Sequence, residues 1–138
     1  MKDAGLQRFH HVGVAVRDID AAREMYGRVF GAVAESPVFH DTHQRVMIQF
    51  VRMGDLRVEL LAPGGESSPV ESVLKRGLAI YHVCHEVRDI EGELARLREA
   101  GCVVVSPPKP AVAFDQRRVA FVMCQGLMVE LLESERNE

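Results

Sequence analysis

His11 and Glu59 stand 48 positions apart, and so do His82 and Glu130. The two histidines are themselves 71 positions apart, as are the two glutamates. Imidazole nitrogens and carboxylate oxygens together suit a divalent ion of hard to borderline character, such as Mn, Co, Ni, Zn or Mg. Four protein ligands leave about two positions of an octahedron for water or substrate oxygens, which is the opening that Lewis-acid catalysis requires. A lone histidine on a strand is ordinarily a packed or solvated side chain, and a carboxylate flanked by leucine must face solvent or a partner. The matched spacing of all four favours a metal site with His11, Glu59, His82 and Glu130 as ligands.

These residues sit in a longer repeat. HVGVAVRDI at residues 11–19 aligns with HVCHEVRDI at 82–90, and VELL at 58–61 recurs at 129–132, all at the same 71-residue offset. Two separate matches in one register imply a tandem duplication. Between them QRVMIQF (44–50) resembles RRVAFVM (117–123) at an offset of 73, so a two-residue slip is expected before the last strand.

The elements that must position the four residues follow from periodicity. Val12, Val14 and Val16 alternate with His11, Gly13 and Ala15, which predicts a strand with a valine face and a histidine face. Asp18 suits a helix N-cap, apolar residues recur at helical spacing over 19–30, and Gly31 supplies the stop. The second half repeats this with a strand at 81–87, a cap at Asp89, apolar Ile90, Leu94 and Leu97, and a stop at Gly101. Extended stretches are expected at 33–39, 44–52 and 56–62, then at 103–106, 117–123 and 127–133. A short helix at 70–74 belongs to the joint, and Pro107, Pro108 and Pro110 predict a stiff extended loop. The expected class is α+β. The chain reads as one domain over 1–138, with βαβββ modules at 7–64 and 79–136 and a connecting segment at 65–78.

A chain of 138 residues that is 47% hydrophobic and 27% charged can bury a sizeable core. Its formal charge of −3, without like-charge blocks, gives no footprint for nucleic acid or an anionic membrane. No apolar run approaches the ~18 residues of a membrane span, and the opening MKDAGLQRFHH has no apolar signal region, so a cytoplasmic location is expected. Cys84, Cys102 and Cys124 show no CxxC spacing and are expected to be small buried hydrophobes rather than disulfide partners. His10 and His85 fall on strand faces opposite the ligand histidines, and His40 and His43 lie in a polar loop. Lys75, Arg76, Arg117 and Arg118 read as solvated cations.

The segments HHVGVAVRDIDAAREMY, VELLAP, SPVESVLKRG, YHVCHEVRDIE and VELLE resemble the vicinal oxygen chelate superfamily over residues 9–133. That group includes glyoxalase I, extradiol dioxygenases, bleomycin-resistance proteins and methylmalonyl-CoA epimerases, and the likeness is greatest to the epimerases. The resemblance implies two modules whose mixed sheets curve into a cup around one divalent ion, with His11, Glu59, His82 and Glu130 on the ligand positions. It further implies an isomerase that removes the proton α to a thioester carbonyl, an acyl substrate linked to CoA or a carrier, and a homodimer. Glu130, a ligand able to exchange protons, and His43 are the implied acid–base pair. His43 stands where the epimerases carry the glutamate of a Glu-Gln-Gly-Val segment. A glyoxalase-like lyase or a dioxygenase of the same superfamily, and a non-catalytic small-molecule binder, are the alternative readings.

Overall fold

The structure is a computed structural model and describes residues 6–135. Residues 1–5 and 136–138 lie outside the described residues, and with them the opening of the segment inspected for a signal and position 136 of the expected second module. The chain divides into a body of residues 11–81 and a body of residues 82–135 that also takes in 6–10.

The first body contains the His11–Ala15 part of β1 (Arg8–Ala15), then α1 (Ile19–Phe30), β2 (Val33–Ala34), β3 (Phe39–Asp41), β4 (Val46–Met53), β5 (Leu56–Pro63) and α2 (Pro69–Lys75). Its strand order is β2-β4-β5-β1, with β3 also on β4. β1 runs parallel to β5, and the remaining pairs are antiparallel. α1 begins where the Asp18 carboxylate accepts the Ala21 N–H at 2.9 Å and ends at Gly31, whose φ of 71° is the left-handed cap that glycine allows. One face of the helix buries Ile19, with Ala22 and Tyr26 beside it, against Val51, Val58, Leu60 and Ala62; Val14 and Val16 complete this core. The valine face of β1 is therefore the helix side, as its alternation implies.

The strand expected over 33–39 is instead two short ones. Pro37 has no N–H for a ladder, and the Ser36 hydroxyl takes the Phe50 N–H at 3.0 Å, so the chain leaves β4 after Ala34 and rejoins it at Phe39. Just past β5, Gly64 crosses the start of β4, its N–H donating to the Arg45 carbonyl at 2.9 Å. A Cβ there would come within 2.6 Å of the Val46 carbonyl carbon. Gly64→Ala is expected to cost about 1–3 kcal/mol, as overpacking against fixed backbone does. Urea unfolding measures this, and an unchanged midpoint would mean that the β3–β4 turn yields freely.

The second body contains β6 (Ile80–Val87) from His82 onward, α3 (Ile90–Glu99), β7 (Val103–Pro110), a 3₁₀ turn at Val112–Phe114, β8 (Arg118–Cys124) and β9 (Leu127–Glu133). Its order is β6-β9-β8-β7, with β6 parallel to β9. Asp89 caps α3 by accepting the Gly92 N–H at 3.1 Å. Ile90 and Leu94 are buried against Val87, Ala120, Val122, Val129 and Leu131, with Leu97 packed alongside. Each body is thus a βαβββ unit, with an additional short strand in the first. No helix among the described residues is long and apolar enough to cross a membrane.

Three sequence expectations are corrected here. The proline-rich segment 107–110 is not a loop but the end of β7, which follows β8 with register shifts at 104–106 and 106–109. The two-residue slip between the halves does not exist. Phe50 pairs with Glu59 across β4 and β5, and Phe121 pairs with Glu130 across β8 and β9, so the 71-residue offset holds through both hairpins. The shared Arg-Val letters of the two segments matched residues that occupy different rungs. Finally, Cys102 and Cys124 are joined in a disulfide with Cα atoms 4.9 Å apart. The β7–β8 register, Val103 opposite Met123, sets these two side by side. Only Cys84 is the buried thiol that composition suggested.

Candidate metal centre

In the first body, Val58 and Leu60 of β5 lie in the core beneath α1, so Glu59 between them projects from the other face. His11 leaves β1 on that same face. Its Nε2 lies 3.0 Å from Glu59 Oε1, with both side chains almost wholly removed from solvent. Phe50, opposite Glu59 on β4, meets the His11 ring edge-on at 5.4 Å. The second body repeats the arrangement. His82 Nε2 lies 2.9 Å from Glu130 Oε1, again buried, and Phe121 meets the His82 ring edge-on at 5.4 Å. In each unit the sheet turns its aliphatic face to the helix and presents a histidine, a glutamate and a phenylalanine on the other.

Burying a carboxylate is costly unless it is paired, hydrogen-bonded or bound to a metal. All four side chains are of metal-ligating type. The geometry within each pair fits an ion as well. Nitrogen and oxygen ligands at about 2.0–2.2 Å in neighbouring positions around one ion stand about 3 Å apart, which is the Nε2–Oε1 separation in both units. Each phenylalanine ring packs on its imidazole and helps to set the plane of that ring.

The remaining sequence candidates fall elsewhere. His43 is exposed in the turn at 42–45 and is not part of the His11–Glu59 pair. His40 bonds the Gly64 carbonyl at 2.7 Å through Nε2. His10 packs edge-on to Phe114 at 5.3 Å and His85 to Phe9 at 5.4 Å. Burial holds the His85 imidazole below the usual histidine range. Arg117 and Arg118 are not the solvated cations their positions suggested. Arg118 reaches Glu91 at 2.6 Å and Glu133 at 2.8 Å, while Arg117 donates to the Glu133 carbonyl at 2.8 Å. These bonds tie β8 to β9 and to the start of α3, and they hold the Glu91 carboxyl below its ordinary range.

Three further residues share the sheet faces that carry the His–Glu pairs. Phe50 and Phe121 carry the same 71-residue signal as the two histidines and two glutamates, which the 73-residue alignment hides. Asp41 is fully buried on β3 opposite Val46, on the Glu59 side of its sheet. It accepts the Gln44 N–H at 3.0 Å and the Gln44 side-chain amide at 3.1 Å, which shapes the turn that carries His43.

A duplicated βαβββ unit with one buried His–Glu pair per copy defines the vicinal oxygen chelate class. The chain belongs to the Glyoxalase/Bleomycin resistance protein/Dioxygenase superfamily, whose family model matches residues 10–121. Among curated proteins it is 35% identical over 129 residues to an ethylmalonyl-CoA/methylmalonyl-CoA epimerase of Cereibacter sphaeroides, covering 90% of this chain and 96% of that one. It is 36% identical to the mitochondrial methylmalonyl-CoA epimerase of Bos taurus, covering 91% of this chain and 74% of the relative. The crystal structure of the Mycobacterium tuberculosis methylmalonyl-CoA epimerase superposes with a TM-score of 0.81 at 26% identity, over 96% of this chain and 91% of that one.

Proposed function

We propose that this protein is a metal-dependent epimerase that moves the proton α to the carbonyl of a 2-carboxyacyl thioester, with methylmalonyl- or ethylmalonyl-CoA as the substrate type. The observation that carries this reading is the buried His–Glu pair in each unit of a chain that matches epimerases along nearly its whole length. In this proposal His11, Glu59, His82 and Glu130 hold one divalent ion between them. A divalent ion held there supplies positive charge beside the thioester oxygen, where negative charge develops as the proton leaves.

The chain's own residues carry the rest. Inversion at carbon needs a proton acceptor on one side of a planar intermediate and a donor on the other. Glu130 is assigned to one side and His43, in its exposed turn, to the other. Phe50 and Phe121 hold the histidine rings in fixed planes, so the ligand nitrogens need little reorganisation on binding. Such a step requires no redox-active group, since the substrate's oxidation level does not change.

The test is deuterium incorporation. Metal-loaded protein incubated in D₂O with methylmalonyl- and ethylmalonyl-CoA is expected to place deuterium at the α-carbon of both. Absence of wash-in with Mn, Co, Ni, Zn and Mg would overturn the epimerase reading, and turnover of a hemithioacetal or oxygen uptake with ferrous ion would replace it by a lyase or a dioxygenase. We further assign the protein to the cytoplasm and to a homodimer. Light scattering is expected to give twice the 15.4 kDa chain mass, and a monomeric mass would refute the dimer.

A further inference from the structure

The Cys102–Cys124 pair stands apart from the ligand face. Cys124 packs against the cluster formed by α3, β8 and β9, and the Cys102 N–H donates to the Leu97 carbonyl at 3.0 Å, at the end of α3. Both cysteines are half-buried, within reach of a small molecule, whereas Cys84 is fully buried. The strand they anchor lies at a sheet edge. β7 is the last strand in its body's order and pairs only with β8. Its register to β8 shifts twice, and Pro107, Pro108 and Pro110 offer no N–H to the ladder. The disulfide is the covalent tie between the start of this edge strand and the end of its neighbour, three positions beyond the Phe121 that packs on His82.

We propose that Cys102 and Cys124 form a thiol-modification site, a dithiol closed and reopened by exchange with low-molecular-weight disulfides of the glutathione type. The cytoplasmic assignment above supports reversibility, because reducing compartments keep thiols reduced and the disulfides found there are typically transient and redox-sensing. In the exchange, the thiolate of one cysteine attacks a sulfur of glutathione disulfide, and one glutathione leaves as thiolate and takes up a proton. The second cysteine, as thiolate, then attacks the protein sulfur of the mixed disulfide and expels the other glutathione. Two protein thiols are oxidised and one small disulfide is reduced to two thiols, so the balance needs no further oxidant. Their Cα separation of 4.9 Å lies within the range that a disulfide spans without backbone movement.

The test counts thiols. Full-length protein is fully reduced, freed of reductant, incubated with glutathione disulfide, quenched with acid and titrated in denaturant. One reactive thiol per chain is expected, that of Cys84, against three after dithiothreitol treatment, and a peptide bridging Cys102 to Cys124 is expected in the digest. Three thiols after glutathione disulfide, or stable glutathione adducts without a bridge, would overturn the proposal. Cys102→Ser is expected to leave Cys124 as a glutathione adduct, which shows that the first step is exchange at these sulfurs. Amide exchange at residues 103–106 is expected to be slower in the bridged form by about tenfold. Equal rates in the two forms would refute the role of the bridge as the tie on β7.

Discussion

Glu130→Gln is expected to lower the rate of α-proton exchange by about 10²–10⁴-fold, the range over which a positioned acid–base group contributes. The substitution separates two roles that the proposal gives to one side chain. A glutamine amide oxygen can still occupy a ligand position, but it cannot take or release a proton in the working pH range. Metal content should therefore fall far less than turnover. The fold is expected to persist, because the introduced amide can donate a hydrogen bond to the His82 nitrogen that now lies 2.9 Å from the carboxylate. Deuterium wash-in measured alongside metal analysis decides the matter. Turnover and metal lost in equal proportion would reduce Glu130 to a ligand, and unchanged turnover would remove it from the mechanism. The parallel change Glu59→Gln gives the internal control, since the proposal assigns Glu59 ligation alone.

The duplication made the two His–Glu pairs legible in the sequence. Strand alternation placed each glutamate opposite its aliphatic neighbours, and the 48-position spacing common to both halves linked it to one histidine; in each unit the two then meet at 2.9–3.0 Å. Helix limits were equally readable for α1, because Asp18 and Gly31 mark its ends by local chemistry. What escaped depends on partners distant in sequence. The break in the strand after Ala34 follows from the Ser36 hydroxyl finding the Phe50 N–H fourteen positions away. β7 continues through its prolines because an edge strand can do without N–H donors on one side, which composition cannot distinguish from a loop. The Cys102–Cys124 bridge depends on the β7–β8 register, which sets Val103 opposite Met123 and which cysteine spacing alone does not reveal. Asp41 was passed over because a polar loop residue and a buried turn-shaping carboxylate look alike until the Gln44 bonds are seen.

Removal of one imidazole should expose how much the folded state depends on the ion. His82→Ala leaves the Glu130 carboxylate buried without the nitrogen that now stands beside it. Breaking a buried pair from one side costs about 3–5 kcal/mol, so the variant is expected to be strongly destabilised without metal. It is also expected to bind Co or Mn far more weakly. In the unaltered protein, ion at one hundred times its dissociation constant adds about 2.7 kcal/mol of stability, which for a domain of this size raises the melting midpoint by roughly 5–15 °C. A chelator should reverse that rise in the unaltered protein and do little to His82→Ala. His11→Ala should behave in the same way, since its unit holds an equivalent pair at 3.0 Å. If chelation leaves the midpoint of the unaltered protein where it was, and both variants take up metal normally, the two His–Glu pairs are structural and the metal site lies elsewhere. If only one variant loses metal, one unit holds the ion by itself, and the duplicated pair in the other has kept its geometry without its ligand role.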